Sequence, residues 1–172
     1  MTARISRPLA RLALGWLIVM TLTPAASAQD VGLPVGSEAP AVVLEDLAGE
    51  PVDLAQYLGQ RPLLIEFWAS WCGVCEALEP RMRQAYERFG TEVDFLVVAV
   101  AVNQSKRRVQ RHVEEHELPY RFLWDGQGRA TRSYKVPTTA HVVIIDSEGK
   151  ISYTGVGADQ DLESALAALQ GS

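Results

Sequence analysis

Cys72 and Cys75 are the only cysteines in a chain of 172 residues. They stand at i and i+3. On a first helical turn that spacing puts both thiols on one face, within reach of a disulfide. A thiol at the positive end of a helix ionises more readily than a free one, whose pKa is about 8.5. The pair therefore suits thiol–disulfide exchange, in which a thiolate opens a disulfide and a second thiol resolves the mixed disulfide. Two other uses fit less well. A disulfide closing so short a loop removes little entropy from the unfolded chain, so it makes a poor structural staple. A closed zinc site wants four ligands, and the pair supplies two.

The elements around the pair must hold it. Residues 63–68 are apolar except for Glu66 and read as a central strand covered on both faces. Residues 76–89 read as a helix. Leu78, Met82, Ala85 and Phe89 lie on one face, Gly90 is the stop, and Pro80 predicts a kink. The apolar neighbours of Glu66 predict a carboxyl buried behind the pair rather than one in solvent at a strand end. Burial raises a carboxyl pKa, which fits it to accept the Cys75 proton as resolution begins.

Further elements follow in order. Short strands are expected at residues 41–44 and 51–52, with Asp53 capping a brief helix. A long apolar strand covers residues 93–102. Asn103 or Ser105 caps a helix over residues 106–117, with Val109, Val113, His112 and His116 on its inner side. A strand at 120–124, a short helix at 129–134 and a strand at 141–145 come next. A turn at 147–150 returns the chain antiparallel over 151–154. Asp159 or Asp161 caps a last helix bearing Leu162, Ala165, Leu166 and Leu169. This order predicts an α/β fold with a mixed sheet and helices on both faces. The chain shows no internal repeat or second-domain linker.

The first 28 residues have a different character. Arg4, Arg7 and Arg11 precede an apolar run over residues 12–22, and Ala26-Ser27-Ala28 offers a small-x-small cleavage site. Residues 1–28 read as a secretory signal peptide cut after Ala28, which places the protein in the periplasm or outside the cell. The alternative is an uncleaved segment that anchors the protein to the membrane. Cleavage takes three of the 16 basic residues and leaves 13 against 21 acids, a net charge of −8. Such a balance speaks against nucleic acid as a partner.

The block Phe67-Trp68-Ala69-Ser70-Trp71-Cys72-Gly73-Val74-Cys75, with Val136-Pro137-Thr138-Thr139 far downstream, resembles the thioredoxin-like superfamily. The best match is its secreted TlpA/ResA-like branch of thiol–disulfide oxidoreductases. The resemblance covers residues 33–172. It implies a thioredoxin-like mixed central sheet flanked by helices, with an N-terminal β-hairpin extension at residues 36–52 and a central helix-strand insert within 102–124. It implies further that Cys72 is the nucleophile and Cys75 the resolving thiol of a redox-active disulfide. Glu66 matches the buried acid of thioredoxins. Pro137 matches a cis-proline, the backbone of Val136 pairs with an extended substrate segment, and Trp71 forms an exposed wall while Trp68 packs beneath. Two positions depart from the pattern. Gly73-Val74 replaces the usual Gly-Pro, so the redox potential does not carry over. Leu78 stands where many secreted relatives have a glutamate, and Glu79 is one step late.

The remaining candidates read as structural. His112 and His116 have a metal-compatible i,i+4 spacing but no third ligand in view. His141 reads as a core histidine. Lys106, Arg107, Arg108 and Arg111 are followed by Glu114, Glu115 and Glu117, which predicts a solvated helix face. The expectation is a monomeric protein-disulfide oxidoreductase with no cofactor and no resident metal. It would reduce disulfide-containing protein substrates and draw electrons from a membrane thiol reductant. The alternatives are an oxidase or isomerase using the same site, and a copper-binding chaperone that adds His141 to the thiols. A peroxidase would want a Pro-x-x-x-Thr/Ser-x-x-Cys block, which Cys72 lacks.

Overall fold

The computed structural model describes residues 31–171; the expected signal segment, residues 1–28, lies outside them. Strands β1 (Val43–Asp46), β2 (Pro51–Asp53), β3 (Leu63–Trp68), β4 (Asp94–Val100), β5 (Arg121–Asp125), β6 (His141–Ile145) and β7 (Ile151–Val156) form one sheet. Their order is β2-β1-β5-β4-β3-β6-β7. The middle strands β3, β4 and β5 are parallel, and β6 and β7 continue antiparallel on the β3 side. On the other side, β1 pairs antiparallel with β5, the strand of the insert. The N-terminal hairpin is thus held by the insert, and a Lys106–Glu45 ion pair ties the two again.

Among the described residues four α-helices cover the sheet: α1 (Gly73–Phe89), α2 (Lys106–Glu115), α3 (Arg129–Ser133) and α4 (Leu162–Ala167). The apolar face of α1 buries Leu78, Met82, Ala85 and Phe89 as their spacing requires, and α1 packs against α4. The helix runs through Pro80, whose missing N–H removes one intrahelical bond. The caps are Asp53 for a short 3₁₀ turn, Ser105 for α2 and Asp161 for α4. Asn103 is instead a left-handed turn residue, and Asp159 pairs with Arg81. Helix α2 stops two residues earlier than expected. Glu117 turns left-handed (φ 49°), and Leu118, which precedes Pro119, is disfavoured in helix.

Every residue of β3 is buried, Glu66 included, because β4 and β6 flank it and both sheet faces are covered. The cis bond expected before Pro137 is not present: the described residues contain no cis peptide, so Val136–Pro137 is trans. The chain makes its reversals here with left-handed residues on either side, Lys135 (φ 51°) and Ala140 (φ 57°). The intrinsic preference between the isomers is only about 0.5–1 kcal/mol, so such local geometry decides it.

His141 is fully buried on β6. Its Nε2–H donates to the Thr154 hydroxyl (2.7 Å), which donates in turn to the Val31 carbonyl (2.7 Å). Its Nδ1 has no partner. A Cβ on Gly32 would lie 2.5 Å from the ring, and Gly32 has φ +92°, so only glycine fits against it. Burial lowers the His141 pKa to about 4. In the unfolded chain the imidazole takes up its proton near pH 6.5. Stability should therefore fall as pH drops from about 6.5 towards about 4, by up to about 3 kcal/mol. Urea unfolding at several pH values checks this, and a His141→Gln variant should lack that slope.

Candidate active site

The disulfide sits where β3 ends and α1 begins. Cys72 and Cys75 are bonded to each other, and Cys72 is the N-cap residue of α1. Helix α1 starts at Gly73, three residues before the expected start, because Cys72 supplies the cap. Its Sγ accepts the Cys75 backbone N–H at 3.0 Å. Cys72 keeps 8% of its surface exposed and Cys75 only 2%. A partner disulfide can therefore reach Cys72 first. When the pair is reduced, the helix N-terminus and that N–H favour a thiolate on Cys72.

Glu66, on the strand that leads into the disulfide, is 1% exposed, and its Oε1 has no hydrogen-bond partner. Burial holds its pKa well above the usual carboxylate range, and the nearby charge of Glu79 pushes it the same way. Glu79 is a site residue that sequence reading set aside. Its carboxylate accepts bonds from Tyr120 Oη (3.2 Å) and Arg83 Nε (3.0 Å). Burial still raises its pKa against those partners. The signal for it was present in the sequence: residues 75 and 79 are four apart on α1 and share a face.

Two grooves flank the site, with Trp71 as the ridge between them. The first, about 310 Å³, is lined by both cysteines, Trp68, Glu76, Glu79, Arg83, His112 and His116. Trp68 forms its floor, packed edge-on against Phe122 and within 5.0 Å of the His112 ring. The His112 and His116 rings stack at 4.0 Å. The second groove, about 410 Å³, is lined by Trp71, Val100, Val102, Asp125, Thr131, Val136 and Pro137. Thus Val136 and Pro137 share a wall with Trp71 but do not line the groove that holds the sulfurs. Trp71 is 43% exposed and is held upright by its Nε1–H bond to the Val102 carbonyl (2.7 Å). The Val136 N–H is committed to the Thr131 carbonyl (2.9 Å), so only its carbonyl can meet an extended partner. Val74, in the place of the usual proline, is exposed on the rim.

The Redoxin family matches residues 34–169. The chain belongs to that family. Among relatives of this Redoxin-family chain is the thiol-disulfide oxidoreductase ResA of Geobacillus thermodenitrificans, 29% identical over 147 residues, which are 83% of this chain and 82% of that protein. The thioredoxin-like protein YneN of Bacillus subtilis is also 29% identical, over 88% of each chain. A secreted Mycobacterium tuberculosis disulfide oxidoreductase has a similar fold, with TM-score 0.65 and 26% identity. The match covers 74% of this chain and 96% of that one. The Redoxin chain is therefore a thioredoxin-like, TlpA/ResA-like thiol–disulfide oxidoreductase.

The other sequence candidates do not join the site as ligands. Among the described residues no group of three or more His, Cys, Asp or Glu is placed to hold a metal. His141 pairs in register with Phe67, so it faces away from the side of β3 that carries Glu66 and Trp68. Its Nε2 is held by Thr154.

Proposed function

We propose that this Redoxin chain reduces disulfides in protein substrates outside the cytoplasm, with Cys72 as nucleophile, Cys75 as resolving thiol and Glu66 as proton acceptor. The observation that carries the reading is the unequal exposure of the two sulfurs, with a buried carboxyl on the strand that leads to them. The Cys72 thiolate attacks one sulfur of the substrate disulfide, forms the mixed disulfide and expels the other sulfur as thiolate. Glu66 takes the Cys75 proton. The Cys75 thiolate then attacks Cys72 Sγ and expels the second substrate thiolate. Two electrons leave the dithiol, both substrate sulfurs end as thiols, and Cys72–Cys75 is again a disulfide.

Trp71, Val136 and Pro137 present the substrate segment. Trp71 supplies an apolar wall and Val136 one carbonyl acceptor. The chain acts as a monomer and is directed out of the cytoplasm by residues 1–28, cut after Ala28, leaving the domain at 33–172. A membrane thiol reductant regenerates the dithiol. No cofactor or metal takes part.

The surroundings of Cys72 support the reducing direction. A dithiol is a weak reductant when its thiolate is strongly stabilised. Here the carboxylates of Glu76 and Glu79 share the Cys72 groove and oppose a thiolate there, against the one backbone N–H that favours it. Equilibration against a thiol buffer tests the direction. The expected potential lies nearer to about −270 mV, as for thioredoxin, than to the value of about −120 mV typical of a strong oxidase. A value near the latter overturns the reductase reading in favour of the oxidase.

A further inference from the structure

Helix α2 carries its charges against its own dipole. Its first turn holds Lys106, Arg107 and Arg108, and its end holds Glu114 and Glu115, with no acid at the start. Cations belong at the C-terminal end of a helix and anions at the N-terminal end, each worth about 0.3–1 kcal/mol. The charges are segregated rather than mixed. Arg107, Arg108 and Arg111 are exposed, and none makes an ion pair among the described residues. A solvated face selected for stability would show the opposite order. Local rules are broken in this way where another requirement acts.

The position of the stripe points to that requirement. Arg108, His112 and His116 are four residues apart and climb one face of α2, and the two histidines line the groove of the disulfide. The approach to α2 is bolted to the active-site loop. The Ser70 N–H donates to Gln104 Oε1 (2.8 Å), and Trp71 donates to the Val102 carbonyl. Of the acids in the groove, Glu79 holds Arg83 and Tyr120, while Glu76 lies in the first turn of α1. A chain with 16 basic and 21 acidic residues therefore presents three arginines without an ion pair on the helix whose His112 lines the disulfide groove.

We propose that the Arg107–Arg108–Arg111 face of α2 docks an acidic segment of the substrate polypeptide, so that disulfides flanked by Asp or Glu are delivered to Cys72. The proposal rests on the oxidoreductase reading of the site and adds the substrate class. Complementary charge raises the encounter rate and leaves the chemical step alone.

The test uses the reduced protein and two synthetic peptides of equal length. Each is closed by one internal disulfide, and the flanks are aspartate and glutamate in one and lysine in the other. Second-order rate constants are each divided by the rate with hydroxyethyl disulfide, a small neutral substrate. At low ionic strength the acidic peptide should be reduced about tenfold faster than the basic one, and the ratio should shrink in high salt. An Arg107→Gln/Arg108→Gln/Arg111→Gln variant should bring the ratio to within about twofold of one, and Arg108→Glu/Arg111→Glu should invert it. Because these changes relieve the dipole conflict, both variants should unfold at the same or higher urea concentration. A wild-type ratio near one, or a preference that survives in both variants, overturns the proposal. So does arginine-dependent co-sedimentation with phosphatidylglycerol vesicles without any peptide preference, which would make the face a membrane contact. A protein that reduces the peptides equally but still reduces hydroxyethyl disulfide loses only the docking face. One that reduces none of the three loses the oxidoreductase reading as well.

Discussion

Replacing Cys75 with serine should arrest the protein at the mixed disulfide, and replacing Cys72 with serine should remove disulfide reduction altogether. The two outcomes differ because the two sulfurs differ in access. Cys72 caps α1 with part of its surface open to the groove, whereas Cys75 is all but sealed below it. Without Cys72 no thiolate is within reach of a substrate, and the rate should fall at least about 10³-fold. Without Cys75 the first attack still proceeds, but nothing resolves the product. Covalent adducts should then accumulate with substrate proteins and be released by a reductant. Non-reducing gels and mass spectrometry of the Cys75→Ser protein measure this. A Cys72→Ser protein that keeps its rate, or a Cys75→Ser protein that holds no adduct, would overturn the assigned roles.

Glu66→Gln should slow turnover by about 10²-fold while making the protein more stable. The amide keeps the shape of the side chain but cannot take the Cys75 proton. The second effect has the opposite sign because the carboxyl is buried with Oε1 unpartnered. Its folded pKa lies well above the ordinary carboxylate value of 4.5, through burial first and the Glu79 charge second. The folded protein therefore binds the proton more tightly than the unfolded chain does. The stability contributed by that proton is complete below about pH 4.5 and is lost as pH rises through the folded value. At neutral pH and above, the amide avoids that loss and should gain about 1–3 kcal/mol. The pH profile separates chemistry from structure. The wild-type rate should carry a limb that follows Glu66 ionisation, and the glutamine variant should lack it. A variant with an unchanged rate and profile would leave Glu66 no part in the proton transfer.

Much of the site was legible in the sequence because its determinants are local. The apolar run around Glu66 announces a doubly covered strand, and residues 63–68 and 141–145 form strands with the bounds expected. The stripe Leu78, Met82, Ala85, Phe89 likewise follows from helical period alone. The errors fall where the deciding contact is made by something distant or by a single side chain. Helix α1 starts early because the Cys72 sulfur caps it. The bond before Pro137 is trans, with left-handed residues on either side making the reversals. Glu79 stands one step from the family position, yet its spacing of four from Cys75 puts it on the same face of α1. The charges of α2 form the solvated face expected of them, and its three arginines have no ion pair among the described residues.

By itself the sequence determined the chemistry and its carrier: two thiols three residues apart, placed between a buried strand and a helix, with one acid in the strand. Spacing and hydrophobic period operate over a few residues, so no knowledge of the fold is needed to read them. Only the tertiary structure decided how those groups are ranked and approached. It exposed one sulfur more than the other and left a Glu66 oxygen unpartnered. It brought Glu79 and Tyr120 together and turned His141 to the far face. It also set α2, the helix of the three arginines, against the disulfide groove through His112. Each depends on segments about thirty or more residues apart meeting at ångström distances, and burial, desolvation and charge complementarity exist only once they meet.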